Sequence, residues 1–391
     1  MAKLLSRKHA RDALLALVLL ANAAALILWP RQSMEAAQDG LQLCGNVIIP
    51  SLFPFFVLSS LVVELGLAGY VGRVLERIMW PLFRVPGAGA SALALGFIGG
   101  YPVGARTAIT LYENGLCSKT QTERLLAFCN NSGPAFILGV VGAGVFADSR
   151  VGVLLYLAHA AASVCVGLLF RFYKRREEKG AAAGRMNFQT HRLSEAFTDS
   201  IKNSFLTTLN ICAFVVFFTV VIRMLSVSGI LNALARLVSL CLAPVGMTEQ
   251  WSRRLLTGVV ELTSGVWTLT EGGSLSGRVS MAAFMLGWAG ISVHCQVLSF
   301  LGGSDLSVRT YLVGKMLHGG LSACFISVLT RLLPLKEQVS AYLVQQVEGI
   351  AGLDFHTALT VSVVAAWLIW LIFFAIAARC IKKPVEMRRK V

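Results

Sequence analysis

Residues 39–172 and 199–333 match each other at a spacing of about 160 residues, and a repeat of that length restricts the chain to folds made of two related halves. Asp39-Gly40-Leu41 answers to Asp199-Ser200-Ile201, Gly69 to Gly229, Gly96 to Gly258, and Arg150 with His159 to Arg309 with His318. Each match is weak alone. The offset nevertheless stays nearly constant over half of the chain, whereas chance matches scatter. Three apolar crossings per copy, an odd number, turn the second copy upside down, and inverted repeats of this kind are a transporter architecture.

The chain has 56% hydrophobic and 14% charged residues, with a mean hydropathy of +0.70, so most of it must lie against protein or lipid. The net charge of +15 points to nucleic acid only until it is located. Basic residues precede the first apolar run (Lys3, Arg7, Lys8, Arg11), fill the central stretch (Arg171, Lys174, Arg175, Arg176, Lys179, Arg185, Arg192) and close the chain (Arg379 to Lys390). Clusters beside span ends mark the cytoplasmic side, and nucleic acid is not expected as a partner. The nine cysteines are scattered singly without a CxxC pair, so neither disulfide nor zinc is implied.

Apolar length and helix breakers then divide the chain. Residues 1–30 form an N-terminal span, retained because no small-residue cleavage site precedes Pro30. Residues 31–172 are the first repeat, 173–195 a basic cytoplasmic linker, 196–333 the second, inverted repeat, 334–355 an external loop, and 356–391 a last span with a basic tail. Crossings are expected at 41–65, 125–146 and 151–170, then at 205–225, 281–301 and 311–332. Residues 70–83 read as an interfacial helix, and 88–112 as a re-entrant hairpin. The fold class is therefore all-α: a polytopic membrane protein of about eight transmembrane helices and two opposed re-entrant hairpins, with both termini cytoplasmic. Arg236, Arg253, Arg254 and Arg278 run against that topology.

Chemistry belongs where helices break, because irregular backbone survives at membrane depth only when buried in protein or lining a cavity. Four breaks occur: residues 99–104 and 261–265 in the hairpins, and 130–134 and 290–294 in the crossings that follow. Half-helix N-termini meeting there offer free N–H donors to carboxylates or phosphates. The candidate substrate-binding residues are Gly100, Tyr101, Pro102, Gly104, Arg106, Asn130, Asn131, Ser132, Glu261, Thr263, Ser264, Ser292, His294 and Gln296. Arg106, one turn after the first tip, either grips a carboxylate or pairs with Glu261. Asn130, Asn131 and Ser132 bind substrate or cap unwound ends. Glu261 binds a cation, relays protons or pairs with Arg106, while a lone His294 is more often structural. His159 and His318, each followed by small residues, read as helix packing with a bond across the interface. Lys315 is an intramembrane cation that can snorkel to the surface. GxSxG, HExxH and phosphate-loop patterns are missing, so neither catalytic residues, a metal nor a cofactor is expected, and the chain is not read as an enzyme.

The stretch Gly96-Phe97-Ile98-Gly99-Gly100-Tyr101-Pro102-Val103-Gly104-Ala105-Arg106, the block from Leu125 through Asn130-Asn131-Ser132-Gly133-Pro134 to Phe136, and Ile49-Pro50-Ser51-Leu52-Phe53-Pro54-Phe55 carry a resemblance. The chain resembles the sporulation integral membrane proteins of the YlbJ type, within the set carrying nucleoside-recognition Gate domains. That resemblance implies a plan similar to concentrative nucleoside transporters, and a transporter moving dipicolinate toward the forespore across the membrane that the mother cell wraps around it. The residues alone imply a transporter of a small polar solute, and their cationic and N–H character favours an anion. A nucleoside-like substrate and a non-transporting scaffold or sensor are the alternatives. The partners expected are a small-molecule anion and the lipid bilayer. The coupling ion, proton or sodium, and self-association are left open.

Overall fold

The computed structural model describes residues 2–65, 75, 77–174, 193–270, 272–333 and 367. The first half of the expected interfacial helix, most of the linker, the external loop and nearly all of the last span lie outside the described residues. All regular elements among the described residues are helices, as the apolar periodicity predicts. Four are long and apolar enough to cross a bilayer: Ser149–Phe170, Ser194–Val227, Leu275–Leu301 and Val308–Leu332. Pro30–Ile48 with Leu52–Leu58 makes a fifth candidate span, bent by 51°. Ala2–Leu28 covers the expected N-terminal span.

The repeat is visible as a common order of elements. In the first copy Gly89–Gly99 and Val103–Glu113 form a hairpin, Lys119–Cys129 and Ala135–Val145 a broken span, and Ser149–Phe170 a continuous span. The second copy repeats this with Glu249–Val260 and Leu262–Trp267, then Leu275–Trp288 and Gly290–Leu301, then Val308–Leu332. The amphipathic helix Ile230–Cys241, with Leu234, Leu237 and Leu240 exposed, stands before the second hairpin where residues 77–83 stand before the first.

Helix ends are written locally. Ser118 and Gln121 form a capping box that starts Lys119–Cys129. The Asp148 side chain accepts from Arg150 N (2.8 Å) at the start of Ser149–Phe170, and the Ser307 side chain accepts from Thr310 N (3.3 Å) at the start of Val308–Leu332. The four arginines that oppose the topology find local roles in part. Arg254 donates to Gly272 O (2.7 Å) and Arg278 to Thr270 O (2.7 Å), so both hold carbonyls at the end of the second hairpin. Arg236 and Glu249 approach to 3.7 Å at the surface.

Two apolar cores join the copies crosswise. One packs Leu262, Val266 and Leu269 of the second hairpin against Ile137, Val140 and Val141 of the first broken span. The other packs Ala105, Ala108 and Ile109 of the first hairpin with Val297 and Leu301 of the second broken span. Small residues let the backbones approach closely. A methyl group built on Gly287 would lie 2.5 Å from Gly319 Cα, and one on Gly314 would lie 2.6 Å from Ala127 Cα. Gly320, one residue beyond Gly319, faces open space. Gly287→Ala should therefore lower thermal stability in detergent by about 1–3 kcal/mol through overpacking. Gly320→Ala should hold or raise it by up to about 1 kcal/mol through helix propensity.

Candidate functional site

Each hairpin tip rests on a backbone break, and each copy does this by a different chemistry. In the first copy the chain turns at Gly100 (φ +72°), and a side chain there would meet Gly133 N at 2.9 Å. Only glycine lets the tip sit on the unwound segment. Gly104 presses against the Cys129 carbonyl, and Gly96 faces the same oxygen. Residues 130–133 are non-helical, and their exposed peptide groups find side-chain partners. Ser132 N donates to His159 Nε2 (3.0 Å), and Asn130 O accepts from Lys315 Nζ (2.9 Å).

In the second copy the tip is Glu261, extended (φ −141°, ψ 123°) between the helices on either side. Its carboxylate accepts from Thr263 N (2.9 Å) and Ser264 N (2.6 Å), satisfying two of the free donors that open Leu262–Trp267. The break beneath it falls at Ala289 (φ +80°) and Gly290 (φ +81°). A side chain on Gly290 would meet Leu262 N at 2.9 Å, the counterpart of the Gly100–Gly133 contact. The break thus comes at the front of the expected 290–294 stretch, and Ser292 and His294 sit in the first turns of the half-helix Gly290–Leu301.

A cavity of about 60 Å³ lies among these tips and breaks, large enough for a few waters. Seven of the fourteen candidates line it: Gly100, Tyr101, Ser132, Glu261, Thr263, Ser292 and Gln296. Leu52, Phe56, Phe136 and Val215 supply apolar walls. Ala135 and Phe136 open one half-helix into the cavity, and Ser292 and Val293 open another. Ser132 Oγ and Gln296 Oε1 are buried and have no hydrogen-bond partner among the described residues. Polar atoms in that condition are costly unless something else satisfies them.

The remaining candidates divide. Asn130, Asn131, Ser264 and His294 stand next to the cavity and are tied into it. Asn130 Nδ2 donates to Tyr311 Oη (3.2 Å), whose hydroxyl shares a hydrogen with His294 Nδ1 (3.0 Å). Asn131 Nδ2 donates to Phe128 O (3.0 Å), and Ser264 pairs with Thr219 (3.3 Å). Pro102 is buried, forms a cis peptide bond with Tyr101 and starts the second arm of the hairpin. Arg106 is absent from the cavity wall. It is exposed on the far face of its helix, with its guanidinium 5.7 Å from the Phe300 ring centre, and the bridge to Glu261 is not made. The reason is helical phase: Ala105, Ala108 and Ile109 are buried, which turns Arg106 outward with Thr110 and Glu113.

The cation beside the cavity is instead Lys315, which is 1% exposed and does not snorkel. Its ammonium bonds Asn130 O, approaches His318 Nδ1 (3.4 Å) and lies 5.1 Å from the Tyr101 ring centre. His318 Nε2 donates to His159 O (3.0 Å), and the two rings are 4.3 Å apart, so the equivalent histidines meet across the interface between copies. The stripe Tyr311, Gly314, Lys315, His318, Gly319 and Ser322 is buried at helical spacing, a signal that the sequence already contains.

A family model described as Gate, nucleoside recognition, matches residues 47–170. The sporulation integral membrane protein YlbJ of Bacillus subtilis (strain 168) is 33% identical over 324 residues, covering 78% of this chain and 79% of that protein. The chain belongs to the YlbJ family of sporulation integral membrane proteins. An uncharacterized protein of Alkalihalophilus pseudofirmus is 29% identical over 98 residues, 24% of this chain and 21% of its own. Among solved structures, CNTnw in an intermediate state aligns with a TM-score of 0.56 at 14% identity, over 83% of this chain and 86% of that one. CNTnw in an inward-facing substrate-bound state aligns with a TM-score of 0.52 at 13% identity, with the same coverage. The YlbJ-family chain is therefore an integral membrane protein with the fold of concentrative nucleoside transporters.

The cap and the unpartnered hydroxyl make opposite predictions for stability. Glu261→Ala should cost about 1–2 kcal/mol of thermal stability, as loss of a helix cap does. Ser132→Ala should leave stability within about 0.5 kcal/mol, because no group among the described residues bonds that oxygen. Differential scanning measurements on both variants check the pair.

Proposed function

We propose that this protein is an alternating-access transporter of a small organic anion, dipicolinate, moved from the mother cell toward the forespore in the membrane that surrounds it. One observation carries the reading: two half-helix N-termini open on one cavity where the buried Ser132 hydroxyl is left without a partner among the described residues. Peptide N–H donors and the positive ends of helices suit carboxylates. Glu261 does not spoil this preference, since its charge is spent on the N-terminus of its own helix. Family membership supports the sporulation setting, and the apolar wall of Phe56, Phe136 and Leu52 suits the flat face of an aromatic ring.

The fold supports a movement of this kind. The two hairpins and broken spans shift together against the scaffold of continuous spans, with both termini cytoplasmic. Solved CNTnw structures include outward-facing, intermediate and inward-facing states, which supports the same kind of motion here. A second reading, transport of a nucleoside, rests on the Gate match over residues 47–170.

Proteoliposomes loaded with the full chain and given labelled dipicolinate or labelled uridine decide between them. Dipicolinate uptake that unlabelled dipicolinate suppresses and uridine does not is the expected result. The reverse pattern establishes the nucleoside reading, and no flux of either solute removes both. Because Arg106 stands outside the cavity, Arg106→Ala should keep uptake within about threefold of the parent, the range of a surface substitution that perturbs no contact of the substrate.

A further inference from the structure

We propose that Lys315 is the specificity-determining residue for negative charge, acting from directly behind the cavity wall. This rests on the anion-transport reading and names the group that enforces it.

Lys315 is buried without a carboxylate within 4 Å among the described residues. Its hydrogen bonds go to an amide carbonyl, Asn130 O, and to an imidazole, His318 Nδ1. The tautomers follow from the partners. His318 Nε2 faces the His159 carbonyl, which can only accept, so Nε2 carries hydrogen and Nδ1 presents its lone pair to the ammonium. His159 Nε2 receives the hydrogen of Ser132 N, so its own hydrogen is on Nδ1, a buried atom without a partner among the described residues. Both rings are then neutral, so the positive charge that the cluster can carry belongs to Lys315, with no counter-ion bonded to it among the described residues. An uncompensated buried ammonium is expensive, and nothing in the packing of Val308–Leu332 demands one.

The position of that charge gives it a use. Lys315 touches the two groups that separate it from the cavity, the ring of Tyr101 and the peptide of Asn130, and Tyr101 and Ser132 form part of the wall. Across one layer of side chains in a water-poor interior, its field is only weakly screened. A solute carboxylate among Tyr101, Ser132 and the N-terminus of Ala135–Val145 would compensate the ammonium without displacing its bonds. Among the described residues Glu261 is the one carboxylate on the same wall, and its oxygens are held by Thr263 N and Ser264 N. The predicted preference is therefore for a planar aromatic dicarboxylate over the same ring with neutral substituents. A purely structural alternative exists, in which Lys315 only neutralises the carbonyl end of Lys119–Cys129.

The test compares uptake of pyridine-2,6-dicarboxylate with uptake of its uncharged diamide, by the full chain in proteoliposomes, for the parent and for Lys315→Met and Lys315→Arg. A merely structural role moves stability and total flux but leaves the ratio of the two solutes alone. The expected result is a fall of at least about tenfold in the dianion-to-diamide ratio for Lys315→Met, with Lys315→Arg within about threefold of the parent. An unchanged ratio in Lys315→Met overturns the proposal. Should Lys315→Met fail to insert, the polar but uncharged Lys315→Gln decides on the same ratio: a fall of that size supports the proposal and an unchanged ratio overturns it. A parent protein that carries uridine and ignores the dicarboxylate removes the anion-transport reading itself, and the proposal falls with it. A parent that is selective alongside an equally selective Lys315→Met removes only the proposal.

Discussion

Peptide groups that leave a helix inside a membrane have no water to bond, and the architecture of this protein depends on how those at residues 130–133 are satisfied. Neither of the two partners with the largest consequences is local. His159 comes from the next span of the same copy, and Lys315 from the matching span of the other copy. The unwound segment is thus held open by both halves at once. That ties Lys119–Cys129 to Val308–Leu332, and it explains why the small residues Ala127 and Gly314 are needed where those helices meet. Without that close approach the ammonium would not reach the carbonyl.

Side chains in the first half of Lys119–Cys129 also fix loops of the first copy to the second. Buried Glu123 accepts from Ser307 N (3.0 Å) and from the Tyr173 hydroxyl (3.0 Å), and buried Arg124 donates to Tyr173 O and to Arg84 O (3.1 Å). Nearer the surface, Asp305 accepts from Lys119 (2.9 Å) and Tyr112 (2.7 Å), and these bonds hold its carboxyl below the usual range. The hairpin and broken span of the first copy therefore meet the second copy both at the cavity and at its edge.

Much of this was legible in the residues, because breaks are written in glycine, proline and asparagine. Gly100, residues 130–134 and Glu261 mark the tips and the unwound segment where the backbone has them. The second broken span was harder. Its bend turns on Ala289 in a left-handed conformation, which alanine does not advertise, so the expected stretch began one residue late and ran on into the half-helix. Arg106 misled for a different reason: closeness in sequence to a tip says nothing about helical face. The phase of Ala105, Ala108 and Ile109 already pointed it outward. Lys315 reads as a snorkelling residue if its length alone is considered. Its place on the stripe of Gly314, His318 and Ser322 says otherwise, but only the fold shows that the stripe faces the other copy's unwound backbone.

The two copies share a plan and not a composition at the cavity. One tip is glycine, and its unwound segment offers amides and a hydroxyl; the other tip is a carboxylate, and the ammonium belongs to the same half. A duplicated ancestor with interchangeable halves would have had equal energies when open to either face. Once one half carries the charges and the other the neutral groups, exchanging their roles no longer gives back the same molecule. In the proposed alternating-access cycle the two openings are then distinguishable states with their own populations, so a resting orientation, and with it a direction in which loading is easier, is built into the divergence of the halves before any solute or ion arrives.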